Sequence, residues 1–394
     1  MKFRVLAIVL LLIALGLIGC VTSSNSSSSS TTGFLYIATQ GDSGLAEFSL
    51  DLTTGIATAD GKSIPTGSVP SAMVVSPSGD AIFVANKGSN DISRYTINSD
   101  GSATVVSGTQ AAGNTPVAMV MDPGGKYLFV ANQGTLTDRT SSTISVFGVQ
   151  GTTLTEVPGS PFPTALPADT AGTGPSGLAV TPDGNYLYVA NQFINTVTAY
   201  SVNSSTGALT SLAIPSYTVG TNPSGVSVTG EGNFLYVANT GSNNVSAFVI
   251  CDNLTPTCTT ADGSLATVTG SPFAAGVGPV AITSTFANPW SRFLYVLDQQ
   301  SNQISQYKIA KTTGVLTNNT TPAISTGLTP SAFVIRAGDG TVLSTTGGTT
   351  DYMYVVDTGG STLKAYGFDT TLGNLAVVST PVLTGGQPSA LGAH

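Results

Sequence analysis

Histidine occurs once in the 394 residues, as His394 at the last position. Without a usable imidazole there is no serine or cysteine triad and no His-based metal cluster, and no glycine-rich phosphate cradle stands out either. Glutamate occurs only at Glu47, Glu156 and Glu231, too scattered for a catalytic carboxylate pair. Charge is scarce as well: 8% of residues carry one, with 12 basic against 20 acidic and a net charge of −8, where an average domain has about a quarter charged. No basic cluster offsets the acids, which argues against nucleic acid or anionic lipid as partners. Long apolar runs are also few. Residues 5–18 form one run of about fourteen, short of the roughly 20 that a membrane-spanning helix needs, and no later stretch reaches eighteen. No cofactor or metal is expected.

What is present begins with that run. Lys2 and Arg4 precede it, as in a secretory signal. It ends in Leu17-Ile18-Gly19-Cys20, which resembles a bacterial lipobox and implies a signal peptide over residues 1–20 with Cys20 lipidated; an ordinary signal peptide with an incidental cysteine is the alternative. Val21 after the cysteine, by resemblance to enterobacterial lipoproteins, favours the outer membrane. Residues 21–33, a Ser/Thr tract, cannot bury enough apolar surface to order themselves and read as a flexible tether with a reach of roughly 18 Å. The expected location is the cell envelope, with the protein a monomer lipid-anchored to the outer membrane or the periplasmic face. In such a compartment Cys251 and Cys258, in "CDNLTPTC", read as a disulfide across a hairpin loop.

Beyond residue 33 a short apolar motif recurs seven times: FLYIAT (34–39), AIFVAN (81–86), YLFVAN (127–132), YLYVAN (186–191), FLYVAN (234–239), FLYVLD (293–298) and YMYVVD (352–357). Successive final residues are 47, 46, 59, 48, 59 and 59 apart, which suits blades of four short strands with variable loops. A second signature, such as VPSAM (69–73) or TPSAF (329–333), precedes every motif except the first, with Pro/Gly turns between the two. The motif strands are apolar on both faces, so each sheet needs a neighbour on either side, and radial stacking supplies it. The unpaired count settles closure. Six signatures precede seven motifs, and the missing one is "QPSALGAH" at 387–394. The expectation is an all-β, seven-bladed β-propeller over 34–394, closed by the C-terminal strand pairing into the first blade; an open solenoid would have no use for that lone strand.

"FLYVANTGSNNVSAF" (234–248) resembles the YVTN-type propeller repeat, and the whole array is similar to the lactonase family of seven-bladed propellers, which includes 6-phosphogluconolactonase. That resemblance implies lactone hydrolysis with His, Glu and Arg at one channel mouth, a set that this chain does not supply on the expected loops. The Asn or Asp that ends six of the motifs is read as turn chemistry, capping the loop through backbone two residues on, rather than as a polar ring at the mouth. Departures from the repeat give the ligand-binding candidates: Asp138 and Arg139 in the long loop 133–143, Gln192 and Phe193 in "QFIN", and Lys87 and Gln299 at corresponding loop positions. Asp138 and Arg139 are the weak catalytic candidates, with a plain solvated pair as the alternative. The leading expectation is an anchored scaffold that binds a neutral glycan, a peptide or an envelope protein through one mouth. The alternative is a divergent lactonase, a carboxylic ester hydrolase.

Overall fold

The computed structural model describes residues 32–138, 140–166, 171–252, 258, 260–285, 292–336, 350–369 and 371–394; Cys20, Arg139, Trp290 and nearly all of the expected tether lie outside them. Every element among the described residues is a strand, and among them no helix is long and apolar enough to cross a membrane. The strands form seven antiparallel sheets, each a meander of strands a to d in sequence order, except the first. There strands b, c and d are Thr32–Thr39, Gly44–Asp51 and Ala57–Pro65, and strand a is Pro388–Ala393 from the other end of the chain. The expected closure is present: Leu35 faces Ala393, Ile37 faces Leu391 and Ala38 faces Ala390, and Phe34 and His394 exchange backbone hydrogen bonds at 2.8 and 2.9 Å. Strand b begins at Thr32, two residues inside the tether expected from composition.

The inner strands of the other blades are Pro70–Val75, Pro116–Met121, Pro175–Val180, Pro223–Val228, Pro279–Ser284 and Pro330–Arg336. Each lies against the next, and the closing strand touches the first and last of them, so the ring is complete. Alternation along strand b explains why a ring is required. Leu187 and Val189 pack with blade 3, while Tyr188 and Ala190 pack with blade 5. The result is seven apolar cores, one between each pair of neighbouring blades. No blade has a core of its own.

Polar contacts bind the same interfaces. The third residue of the b motif is Tyr in five blades, and its hydroxyl donates to the carbonyl of a turn glycine in the next blade: Tyr36 to Gly101, Tyr188 to Gly263, Tyr236 to Gly314, Tyr295 to Gly373 and Tyr354 to Gly55, at 2.7–3.1 Å. Blades 2 and 3 carry Phe83 and Phe129 there, which fill the core without that bond. Replacing Tyr236 by Phe removes the donor and leaves a buried carbonyl unpaired. A loss of about 1–2 kcal/mol in urea unfolding is expected, and no change in the urea midpoint would overturn the assignment.

The disulfide expectation also holds: Cys251 and Cys258 are bonded, with their Cα atoms 5.2 Å apart, between strands c and d of blade 5.

Candidate functional site

The b–c and d–a loops converge on one face and surround one mouth of the channel. Seven residues, one after each b motif, encircle it: Gln40, Lys87, Gln133, Gln192, Thr240, Gln299 and Thr358. Each donates its backbone N–H to the residue just before the inner-strand proline of its own blade, for example Lys87 to Val69 at 3.0 Å and Gln192 to Gly174 at 2.7 Å. These pre-proline residues have positive φ in all seven blades, including the β-branched Val69 (53°), Thr115 (57°) and Thr329 (50°). Such strain survives only where the surroundings over-determine it. Here the asparagine that ends the preceding blade's b–c turn caps the strained N–H, as Asn90 does for Thr115 (2.8 Å), Asn195 for Asn222 (2.8 Å), Asn243 for Gly278 (2.9 Å) and Asn302 for Thr329 (2.7 Å). The "GSN" of the repeat is therefore an inter-blade clasp.

Serine after the proline makes a second clasp. Ser71, Ser176, Ser224, Ser331 and Ser389 donate to the proline carbonyl of the following blade at 2.7–3.0 Å. Blades 3 and 6 have Val117 and Val280 instead. At blade 6 the Gln299 amide donates to Pro330 in the serine's place, at 3.2 Å. Two predicted ligand residues are thus engaged with the protein itself, since Gln192 also accepts from Gln133 at 2.8 Å.

The motif-terminal Asn and Asp side chains are fully buried, so they form no polar ring at the mouth. Their structural role is as expected, but their partners are not the backbone two residues on. Asn86 donates to Asp91 (2.8 Å) and Ser93 (2.9 Å), Asn239 to Asn244 (2.8 Å) and Ser246 (3.0 Å), and Asn132 to Ser145 (2.9 Å) while accepting from Gly113 N (3.1 Å). They tie strand b to strand c and to the d–a loop overhead. A glycine crosses that loop at van der Waals distance: a Cβ on Gly327 would sit 2.3 Å from the Asp357 carboxylate. Sequence distance hid this, because Gly327 and Asp357 are neighbours only once strands a and b have paired. In blades 6 and 7 the buried residue is a carboxyl group, and burial pushes both Asp298 and Asp357 up to about 6.

Asp138 lies exposed in a turn, accepting from Thr140 N at 2.9 Å and Thr140 Oγ1 at 2.6 Å. Those bonds hold its carboxyl below the usual range, the opposite of what a general base at neutral pH requires. Lys87 is exposed, and the ion pair among the described residues is Lys62 with Asp60 at 3.6 Å, within strand d of blade 1. Asp138 and Lys87 therefore do not come together as a salt-bridged site. Asp42 on the same face is held by Thr39. Phe193 is half-buried beside Gly174. The loop 133–142 is not a free arm: Ser142 donates to Gln133 O (2.9 Å), Thr164 donates to Ser142 O (2.9 Å) and Gly172 N donates to Leu136 O (2.9 Å). Its described residues are thus tied to the described ends of the d–a connection. His394 is on the opposite face, its ring against Gly79. No group of three metal-ligating side chains occurs among the described residues.

No curated protein matches the chain by sequence. Among solved structures, a 6-phosphogluconolactonase candidate from Bacteroides fragilis is similar over 93% of this chain and 99% of its own, at 20% identity and a TM-score of 0.71. The periplasmic gluconolactonase of Pseudomonas aeruginosa is similar over 91% and 98%, at 19% identity and a TM-score of 0.70. Likenesses at that identity speak for the fold. The sequence also matches the family described as Lactonase, 7-bladed beta-propeller, over residues 49–155 and 140–268, more than half of its length. The chain belongs to the lactonase family of seven-bladed β-propellers.

Proposed function

We propose that this propeller is a binding module for a neutral, hydroxyl-rich ligand, a glycan in the cell envelope, taken at the b–c mouth. The observation that carries the reading is the chemistry of the mouth ring: four glutamines, two threonines and one lysine, with Asp42, Asp91 and Asp138, the carboxylates in the b–c turns among the described residues, held by hydroxyl donors of their own turns. Amides both donate and accept, as sugar hydroxyls do. Anchoring through Cys20 belongs to the same proposal. It would hold the propeller at the membrane, as a monomer and without nucleic acid.

The family favours a second reading, hydrolysis of a sugar lactone by a divergent member. That chemistry wants a general acid/base and a cation for the developing charge, and Asp138 with Arg139 would have to supply them. Purified full-length protein assayed against a panel of phosphorylated and unphosphorylated sugar lactones separates the two. On the binding reading, turnover stays at background and Asp138→Ala changes nothing. Turnover that Asp138→Ala lowers about a hundredfold or more would replace the binding reading with the lactonase one.

A further inference from the structure

Two blades break the loop pattern in the same reciprocal way. The second residue of the b–c turn is glycine in five blades (Gly41, Gly88, Gly134, Gly241, Gly359), and in those five the pre-proline residue opposite it carries a side chain (Gln387, Val69, Thr115, Asn222, Thr329). In blade 4 the turn residue is Phe193 and the pre-proline residue is Gly174; in blade 6 they are Gln300 and Gly278. The reason is space. A Cβ on Gly88 would meet Ser68 O at 2.9 Å, and one on Gly359 would meet Leu328 O at 3.0 Å. Conversely, a Cβ on Gly174 would lie 2.5 Å from the Phe193 ring, and one on Gly278 would lie 2.7 Å from the Gln300 side chain. The two positions cannot both be filled as the loops stand. Blades 4 and 6 have traded a side chain in the d–a loop for one that projects at the mouth, at the entropic cost of a glycine.

We infer that Phe193 and Gln300 form the two walls of a saccharide subsite over blade 5, which lies between blades 4 and 6 and keeps the low consensus turn Thr240-Gly241-Ser242-Asn243. The proposal rests on the neutral-glycan reading and locates it. Phe193 is half-buried and seated against Gly174, so it offers a fixed apolar face for the C–H side of a pyranose ring. The Gln133–Gln192 amide pair stands beside it, and the exposed Gln300, seated over Gly278, belongs to the blade beyond blade 5. Backbone argues for sugar over an extended peptide: the N–H groups of Gln192, Phe193, Gln299 and Gln300 all donate to d–a loop carbonyls, so strand addition has no free donors there. Charge argues the same way, because Gln, Phe, Thr and Ser line the subsite.

The test uses the full chain and a panel of neutral tetrasaccharides built from glucose, xylose, mannose or N-acetylglucosamine, with binding read by calorimetry and folding by thermal melting. The informative variant is Phe193→Gly combined with Gly174→Asn, which restores the pairing found in the other five blades and so guards against a folding failure. Expected is binding of at least one tetrasaccharide by the unaltered chain, a loss of about tenfold or more in the double variant at unchanged melting temperature, and a loss of about threefold in Gln300→Ala. Ser205→Ala, on the opposite face, should bind as the unaltered chain does. Equal affinity in the double variant overturns the subsite while the glycan reading stands. No binding of any tetrasaccharide by the unaltered chain overturns both.

Discussion

Deleting residues 387–394 should abolish cooperative unfolding or lower its midpoint by more than about 15 °C, the largest effect expected of any short change in this chain. The segment supplies the whole inner strand of blade 1. Without it, strand b loses its partner along five paired positions, and Ser389 no longer donates to Pro70 at 2.7 Å. Pro388 no longer accepts from Ser331 at 2.9 Å and from Thr358 at 2.8 Å. Ala390 and Leu391 leave two different inter-blade cores, a loss of about 2–3 kcal/mol in apolar burial alone. Losing these together opens the ring between blades 7 and 2, against a net stability that is usually only about 5–15 kcal/mol. Calorimetry should show either no sharp transition or one lowered by more than about 15 °C. Leu391→Ala, which only hollows the seam, should cost about 2–4 kcal/mol and stay cooperative. A truncated chain that melts like the parent would mean that the termini do not close the wheel.

The second large effect is a pH dependence traceable to two residues. Asp298 and Asp357 occupy the buried post that is asparagine in blades 2 to 5. An unfolded aspartate ionises near 3.8, whereas in the fold both are raised to about 6, first by burial. Between those values the folded chain binds more protons than the unfolded one. The stabilisation they give is therefore complete below about 4 and is lost as pH rises through about 6. Two units correspond to about 2–3 kcal/mol for each group at neutral pH. The melting temperature should thus rise as pH falls from about 7.5 to about 5. It should turn down again below about 4, where Asp51, Asp80, Asp100 and Asp262, held low by hydroxyl and backbone donors in their turns, begin to protonate.

Replacing both residues by asparagine restores the consensus post. Ser305 and Gln303 remain to satisfy position 298, and Gly327 N and Thr362 remain for position 357. The double variant should melt higher than the parent at about pH 7.5 and show a shallower rise toward about pH 5. A residual slope is expected from Glu47, whose carboxyl is raised by burial and by its neighbour Asp60. A double variant less stable than the parent at neutral pH would contradict this account.

The architecture follows from one-dimensional information. Period, the two-faced apolarity of YLYVAN and the count of six signatures to seven motifs determine the number of blades and their closure, because a strand buried on both faces can be satisfied only by neighbours of its own kind. The disulfide is equally local, since few residues separate Cys251 from Cys258 and the oxidising compartment expected for them favours the bond. Scarce charge and the lone His394 likewise limit the chemistry before any coordinate is known. Tertiary structure alone decided most of the rest, for one reason: most of the contacts that assign each polar residue its task run between blades, as Asn90 to Thr115 and Gln299 to Pro330 do, across tens of residues of chain. Asn90 reads as a turn residue until Thr115 of the next blade donates to it. Gln299 reads as a ligand contact until Pro330 accepts its amide, and Asp138 beside Arg139 suggests a charged site until Thr140 takes up its carboxylate. The exchange of Phe193 for Gly174 is written in the sequence, yet its meaning is a matter of ångströms, because only folding brings those two backbones close enough that one Cβ excludes the other.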